Sequence, residues 1–219
     1  MIHGPRRIRH DAVAEAIVDA AERVLGPHGV DGCTVARVAA EVGCTAGALY
    51  RYFPSKEAIL AAVTARAITT FAADVRPGLD AAPPGPEGAF VDVFVLTRAW
   101  AGLAARRPAQ AGLLFGLLAD PAPRVPTQDA GDATAAATAL LLRLVARLDD
   151  AERAGLLAPA DPVQRLVTIW GAAHGVAALA KLRTHGLPLP ADAVDAAVST
   201  VLLGLGADPI LVRFGREAP

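Results

Sequence analysis

Thr34 to Leu60 reads TVARVAAEVGCTAGALYRYFPSKEAIL, and this stretch decides the fold. Thr34 can cap a short helix, Val35, Val38, Ala39 and Val42 share one face of it, and Gly43 offers the positive φ that ends it. Thr45 can then cap a second helix, Ala46 to Phe53, before Pro54 breaks the chain and Ser55 recaps it for a long helix from Lys56 to about Val75. Two short helices joined by a three- to four-residue turn with glycine make a helix-turn-helix, the arrangement that lays its second helix in the DNA major groove. Leu49 and Phe53 would complete its small core with the four residues of the first face.

Both tyrosines of the chain, Tyr50 and Tyr52, sit on that second helix with Arg51 between them and Lys56 just beyond. Phenolic hydroxyls and cations at a helix end bond phosphate oxygens, and the start of the helix at Lys56 adds amide donors and the positive end of a dipole. The implied role of the cluster is phosphate contact.

With the amphipathic helix that precedes it, Thr34 to Leu60 resembles the DNA-binding signature of the TetR/AcrR family of transcriptional regulators. The resemblance covers about the first 60 residues, and the length and helix content of the remainder are similar to that family too. It implies an N-terminal unit that binds operator DNA and a larger helical domain that binds a small molecule and dimerises, with effector binding usually releasing the DNA. By position, Tyr50, Tyr52 and Lys56 match the family's phosphate-binding residues, and Thr45, Ala46 and Gly47 lie where the recognition helix meets base edges. Ala46, Gly47 and Ala48 carry no hydrogen-bonding side chain, so base readout falls to Arg37 and Thr45, with Arg51 next. Arg6, Arg7 and Arg9 form a basic arm with two open readings, phosphate or minor-groove contact and a solubilising tail. His3 and His10 fall in the same arm, expected to be mobile.

Composition limits the alternatives. The chain has 219 residues, 53% of them hydrophobic and 5% aromatic, enough for one or two compact cores. Its 21 basic and 22 acidic residues balance to a net charge of -1, and residues 1–60 hold seven of each sign, so DNA would be met by a few placed cations rather than by overall charge. No export signal is expected, because Asp11, Glu15 and Asp19 interrupt the N-terminal stretch. No membrane span is expected either, since the longest uncharged apolar run, Leu166 to Ala180, contains His174 and is too short. Cys33 and Cys44 suit a reducing compartment, as small buried hydrophobes or, as the alternative, a redox pair. These features point to the cytoplasm.

Outside the signature, 3.6-residue periodicity recurs and no run alternates like a strand, so the chain is expected to be all-α. Val13, Ile17, Ala20 and Val24 stripe a first helix from about Asp11 to Gly26. A proline-rich loop from Pro77 to Pro86 follows the long helix, and further helices are expected at about 87–106, 108–119, 129–155, 162–185 and 191–205. Asp161-Pro162-Val163-Gln164 is the best-specified start among them. The expected division is a DNA-binding domain of residues 1–60 and a helical ligand-binding and dimerisation domain of residues 61–219.

Phe90, Phe94 and Thr97 share a helix face, Trp170 and His174 repeat the spacing on a later helix, and with Phe115 these form the expected effector site, for a largely apolar molecule. Trp170-Gly171-Ala172-Ala173-His174-Gly175 also resembles a pattern in one branch of TetR-type C-terminal domains. His174 remains open between a core histidine, a ligand contact and a metal ligand. His185 lies about 16 Å further along a helix, so the two cannot share an ion, and it reads as a cation in a last helical turn. No metal and no cofactor are expected.

Gly171, Gly175 and the nearly uncharged final helix with Ala197, Val201, Gly204 and Leu205 suit a helix-helix interface. In the family, the last two long helices form a four-helix dimer contact that sets two recognition helices about 34–36 Å apart. The expected partners are double-stranded operator DNA, a small-molecule effector and a second copy of the chain. No serine-histidine-acid set, zinc spacing or phosphate-cradling glycine loop argues for an enzyme. The reading is a ligand-responsive transcriptional regulator, most simply a repressor; the alternative is a helical module that binds small molecules or protein with weak or no specific DNA binding.

Overall fold

The structure, a computed structural model, describes residues 5–119, 131–180, 182, 186 and 189–218, without the side chains of 5–9, 116–119 and 131–134. Among the described residues it contains ten α-helices and no strand, as the periodicity predicts. They are α1 (Pro5–Gly32), α2 (Val35–Val42), α3 (Ala46–Leu49), α4 (Lys56–Ala81), α5 (Gly88–Arg106), α6 (Pro108–Ala119), α7 (Gly131–Arg153), α8 (Pro162–Leu179), α9 (Ala193–Gly204) and α10 (Pro209–Glu217).

Several boundaries depart from the sequence reading. Helix α1 begins at Pro5, so from Pro5 onward the backbone of the expected mobile arm is helical, and His10 stands on that helix, while His3 lies outside the described residues. It also runs past Gly26 and Pro27, breaking only at Gly29, whose φ of 63° is left-handed. Helix α4 passes through Pro77 to Ala81 instead of stopping near Val75. A proline inside a helix costs about 3 kcal/mol. Here the last turn is held from outside: Arg143 Nη2 donates to the Leu79 carbonyl, and a Cβ at Gly78 would stand 2.9 Å from Val95 Cγ1, so only glycine lets α5 come this close.

Helix α8 starts as expected, Asp161 accepting from the Gln164 amide at 2.8 Å with Pro162 in the first turn. Helix α10 had no sequence reading, yet Asp208-Pro209 is the same signal, and Asp208 Oδ1 accepts from the Ile210 amide at 2.7 Å. The side chains of Arg6, Arg7 and Arg9, and His185 altogether, lie outside the described residues.

The chain divides into two compact units. The first comprises Met1–Thr69 and Ala104–Ala135, so it holds α6 as well as the helix-turn-helix. Its core joins the predicted stripe, Ile17, Ala20 and Val24, to Val38, Leu49, Ile59 and Val63, with Leu113 of α6 added. Polar groups tie the same helices: Arg66 of α4 pairs with Glu22 of α1 at 2.9 Å, and Gln110 of α6 donates to Glu22 at 3.0 Å.

The second unit comprises Thr70–Leu103 and Ala136–Pro219. Its core contains a fully buried carboxylate, Asp92, which accepts from Arg143 Nε at 2.9 Å and Arg147 Nε at 3.3 Å. Arg147 also donates to carbonyls of the α4–α5 connection, to Pro84 at 2.9 Å and Gly85 at 3.1 Å. Arg165, also fully buried, pairs with Glu152, and Arg98 of α5 grips both carboxylate oxygens of Asp195 on α9. By length and composition α4 and α5 are long and apolar enough to cross a bilayer, which a search for charge-free runs overlooks. Both are core helices here: α4 carries the Arg66 ion pairs, and α5 buries Asp92 and Trp100.

Candidate nucleic-acid interface

Local hydrogen bonds build the helix-turn-helix as its sequence dictates. Thr34 Oγ1 accepts from the Arg37 amide at 3.3 Å, and Gly43, at φ 78°, closes α2 by donating to the Ala39 and Ala40 carbonyls. Thr45 Oγ1 accepts from the Ala48 amide at 3.2 Å and starts α3. Regular α3 ends at Leu49 rather than Phe53, because the Tyr52 amide bonds the Leu49 carbonyl three residues back and tightens the turn ahead of Pro54. Ser55 then caps α4, its hydroxyl accepting from the Ala58 amide at 3.1 Å.

This framework buries Leu49 completely and turns Thr45, Gly47, Tyr50 and Arg51 outward. Tyr50 is 51% exposed, Thr45, Gly47 and Arg51 are exposed, and Ala46, Tyr52 and Lys56 are half-buried. Tyr52 packs one side against the core and lies beside the His10 ring, with centroids 4.7 Å apart. Two cations are partly engaged by the fold: Arg37 Nη1 donates to the Gly32 carbonyl at 2.9 Å, and Lys56 Nζ reaches the Asp31 carbonyl at 3.5 Å. Arg37 is thus anchored at the α1–α2 junction, which restrains the reach that reading a base edge asks of it. Cys33 is buried, and burial pushes its thiol pKa up, which makes it inert; Cys44 is half-buried, and both are free.

The residues expected to hold an effector separate into three places. Phe90, Phe94 and Thr97 are fully buried, and the Thr97 hydroxyl is spent on the Val93 carbonyl at 2.8 Å. Phe115 belongs to the first unit. Trp170 and His174 do come together, around a residue the sequence reading left out. Trp100 lies tilted against Trp170 with centroids 4.9 Å apart, meets Phe71 edge-on at 5.9 Å, and donates its indole N–H to His174 Nδ1 at 3.2 Å. Spacing within one helix cannot reveal such a hub, because its contacts cross from α4 and α8 to α5.

A capped helix-turn-helix with Tyr50 and Arg51 turned outward is the arrangement that DNA-binding transcriptional regulators use. Residues 17–63 match the N-terminal model of the bacterial regulatory proteins of the tetR family, and residues 93–203 match a tetracyclin repressor-like C-terminal domain. The chain belongs to the TetR family.

Among its relatives, an HTH-type transcriptional regulator from Mycobacterium tuberculosis, Rv1816, is 29% identical over 153 residues, covering 70% of this chain and 61% of that protein. The chain therefore spans about three fifths of the length of the curated relatives it matches. A protein of unknown function from Rhodococcus sp. RHA1 shares the fold at TM-score 0.68 and 23% identity, over 93% of this chain and 96% of that one. AibR, solved in complex with isovaleryl coenzyme A and operator DNA, superposes at TM-score 0.66 and 19% identity, over 86% and 97%.

Proposed function

We propose that the chain is a homodimeric, ligand-responsive repressor that leaves its operator when a small molecule binds the second unit. The observation that carries the reading is the outward placement of Tyr50 and Arg51 beside Tyr52 and Lys56, on a turn capped by Thr45. These groups suit phosphate oxygens; Thr45, Ala46 and Gly47 are assigned to the groove floor, with Arg37, Arg6 and Arg7 as flanking cations. With so few donors facing bases, much of the specificity falls to DNA shape and to contacts with thymine methyl groups.

The dimer is assigned to α8 and α9. Val163, Val167, Gly171, Gly175 and Leu179 recur every four residues on α8 and are all exposed, with Val163 63% and Val167 62% open to solvent. Ala196, Thr200, Leu203 and Gly204 are exposed on α9, which packs on α8, so the two helices present an uncharged surface of small and apolar groups. A partner helix can approach the glycine row closely, since a Cβ at Gly171 or Gly175 meets nothing within 4 Å. The effector is assigned to the aromatic cluster of Trp100, Trp170, Phe71 and His174, as a largely apolar molecule with a polar group for the imidazole. A DNA-bound regulator of this kind works in the cytoplasm.

Selection of duplexes from a random pool by the full-length protein tests the reading. A near-palindromic consensus, bound with strong salt dependence and released by an apolar metabolite, is expected. Binding with no sequence preference would instead support a helical module that acts on small molecules or proteins.

A further inference from the structure

His10 stands on α1, outside the helix-turn-helix, yet its ring centroid is 4.7 Å from that of Tyr52 at an interplanar angle of 35°. Tyr52 is half-buried and packs against the hydrophobic core of the first unit. Contact with the core and with the imidazole restrains the tyrosine side chain. Asp11 Oδ1 lies 3.7 Å from His10 Nδ1, and what His10 brings to Tyr52 is ring surface.

We infer that His10 is a positioning residue of the DNA interface, a ring buttress that holds Tyr52 in its DNA-contacting orientation before the duplex arrives. This rests on the reading above that Tyr52 contacts phosphate. Without the buttress, DNA binding must immobilise a mobile tyrosine, and ordering one such side chain weakens binding about three- to tenfold. Because the loss is one of order and not of a cation, it reduces affinity without changing the number of counterions released.

The test uses the full-length protein with a duplex recovered by selection and a scrambled duplex of equal length, with binding followed by fluorescence anisotropy across a salt series. His10→Ala is expected to weaken both duplexes about three- to tenfold with an unchanged salt slope, while His10→Phe, which keeps a ring, restores wild-type affinity. In a Tyr52→Phe background, which lacks the hydroxyl, His10→Ala is expected to have no further effect. Far-UV circular dichroism establishes that each variant is folded.

Wild-type affinity in His10→Ala would overturn the inference. So would a loss in His10→Phe equal to that in His10→Ala, or a salt slope lowered by about one unit, which marks His10 as a phosphate-bound cation itself. If Tyr52→Phe binds as the wild type does, the assignment of Tyr52 to phosphate fails and the role of His10 falls with it. Wild-type binding by Tyr52→Phe therefore separates failure of the underlying reading from failure of the inference alone.

Discussion

Trp100 donates its indole N–H to Nδ1 of His174 across 3.2 Å, joining residues 74 apart in the chain. An Nδ1 that accepts places the proton of the neutral imidazole on Nε2. His174→Phe removes the acceptor and is expected to lower stability by about 0.5–1.5 kcal/mol in urea unfolding. Both tryptophans of the chain meet here with ring centroids 4.9 Å apart, so an effector that enters this cluster is expected to change the intrinsic emission at the concentration that releases DNA. Release without any emission change would place the effector elsewhere.

Asp92 is the pivot of a second device. Its fully buried carboxylate neutralises Arg143 and Arg147, which in turn hold the end of α4 and the α4–α5 connection. Asp92→Ala leaves two cations facing an emptied site and is expected to cost about 3–5 kcal/mol, measured by chemical unfolding. A loss below about 1 kcal/mol would mean that water replaces the carboxylate.

The pair of Glu152 and Arg165 predicts an acid limb in stability. The hydrogen bond from Arg165 is the largest cause holding the Glu152 pKa below its ordinary range. A carboxylate with a depressed folded-state pKa adds stability that is present above the unfolded value and lost as pH falls through the folded one. Melting temperature is therefore expected to drop from about pH 5 downward, and less steeply in Glu152→Gln, whose lower stability at neutral pH lacks that titration.

The dimer surface is tested by Val167→Arg. Val167 is 62% exposed in the middle of the uncharged α8 row, so a charge there leaves the monomer's packing intact but opposes its own copy across a two-fold interface. Analytical ultracentrifugation is expected to show a folded monomer with greatly weakened operator binding. An unchanged dimer would move the interface to another face.

What the sequence made legible was local. Thr34, Gly43, Thr45 and Asp161 act through bonds to residues three or four positions away, and each sits in the cap its residue type implies. The same rule finds α10 through Asp208-Pro209, a signal present but not used. Pro77 misled because its cost is offset by Arg143, a residue 64 positions from the Leu79 carbonyl it binds. Phe90, Phe94 and Thr97 are fully buried and Trp100 meets His174 from another helix, neither of which a shared helix face reveals, because it does not say which partner covers it. Fully buried charges such as Asp92 and Arg165 have no periodic signature at all; their pairing exists only once α5, α7 and α8 are assembled.

The account depends above all on the tyrosine-bearing turn lying against a DNA backbone, and the salt dependence of Lys56→Ala tests that most directly. Lys56 begins α4 and reaches the Asp31 carbonyl at 3.5 Å. The variant is expected to bind selected and scrambled duplexes more weakly by the same factor, with the slope of log affinity against log salt reduced by about one unit. An unchanged slope, or a loss confined to one base position of the selected site, would contradict it.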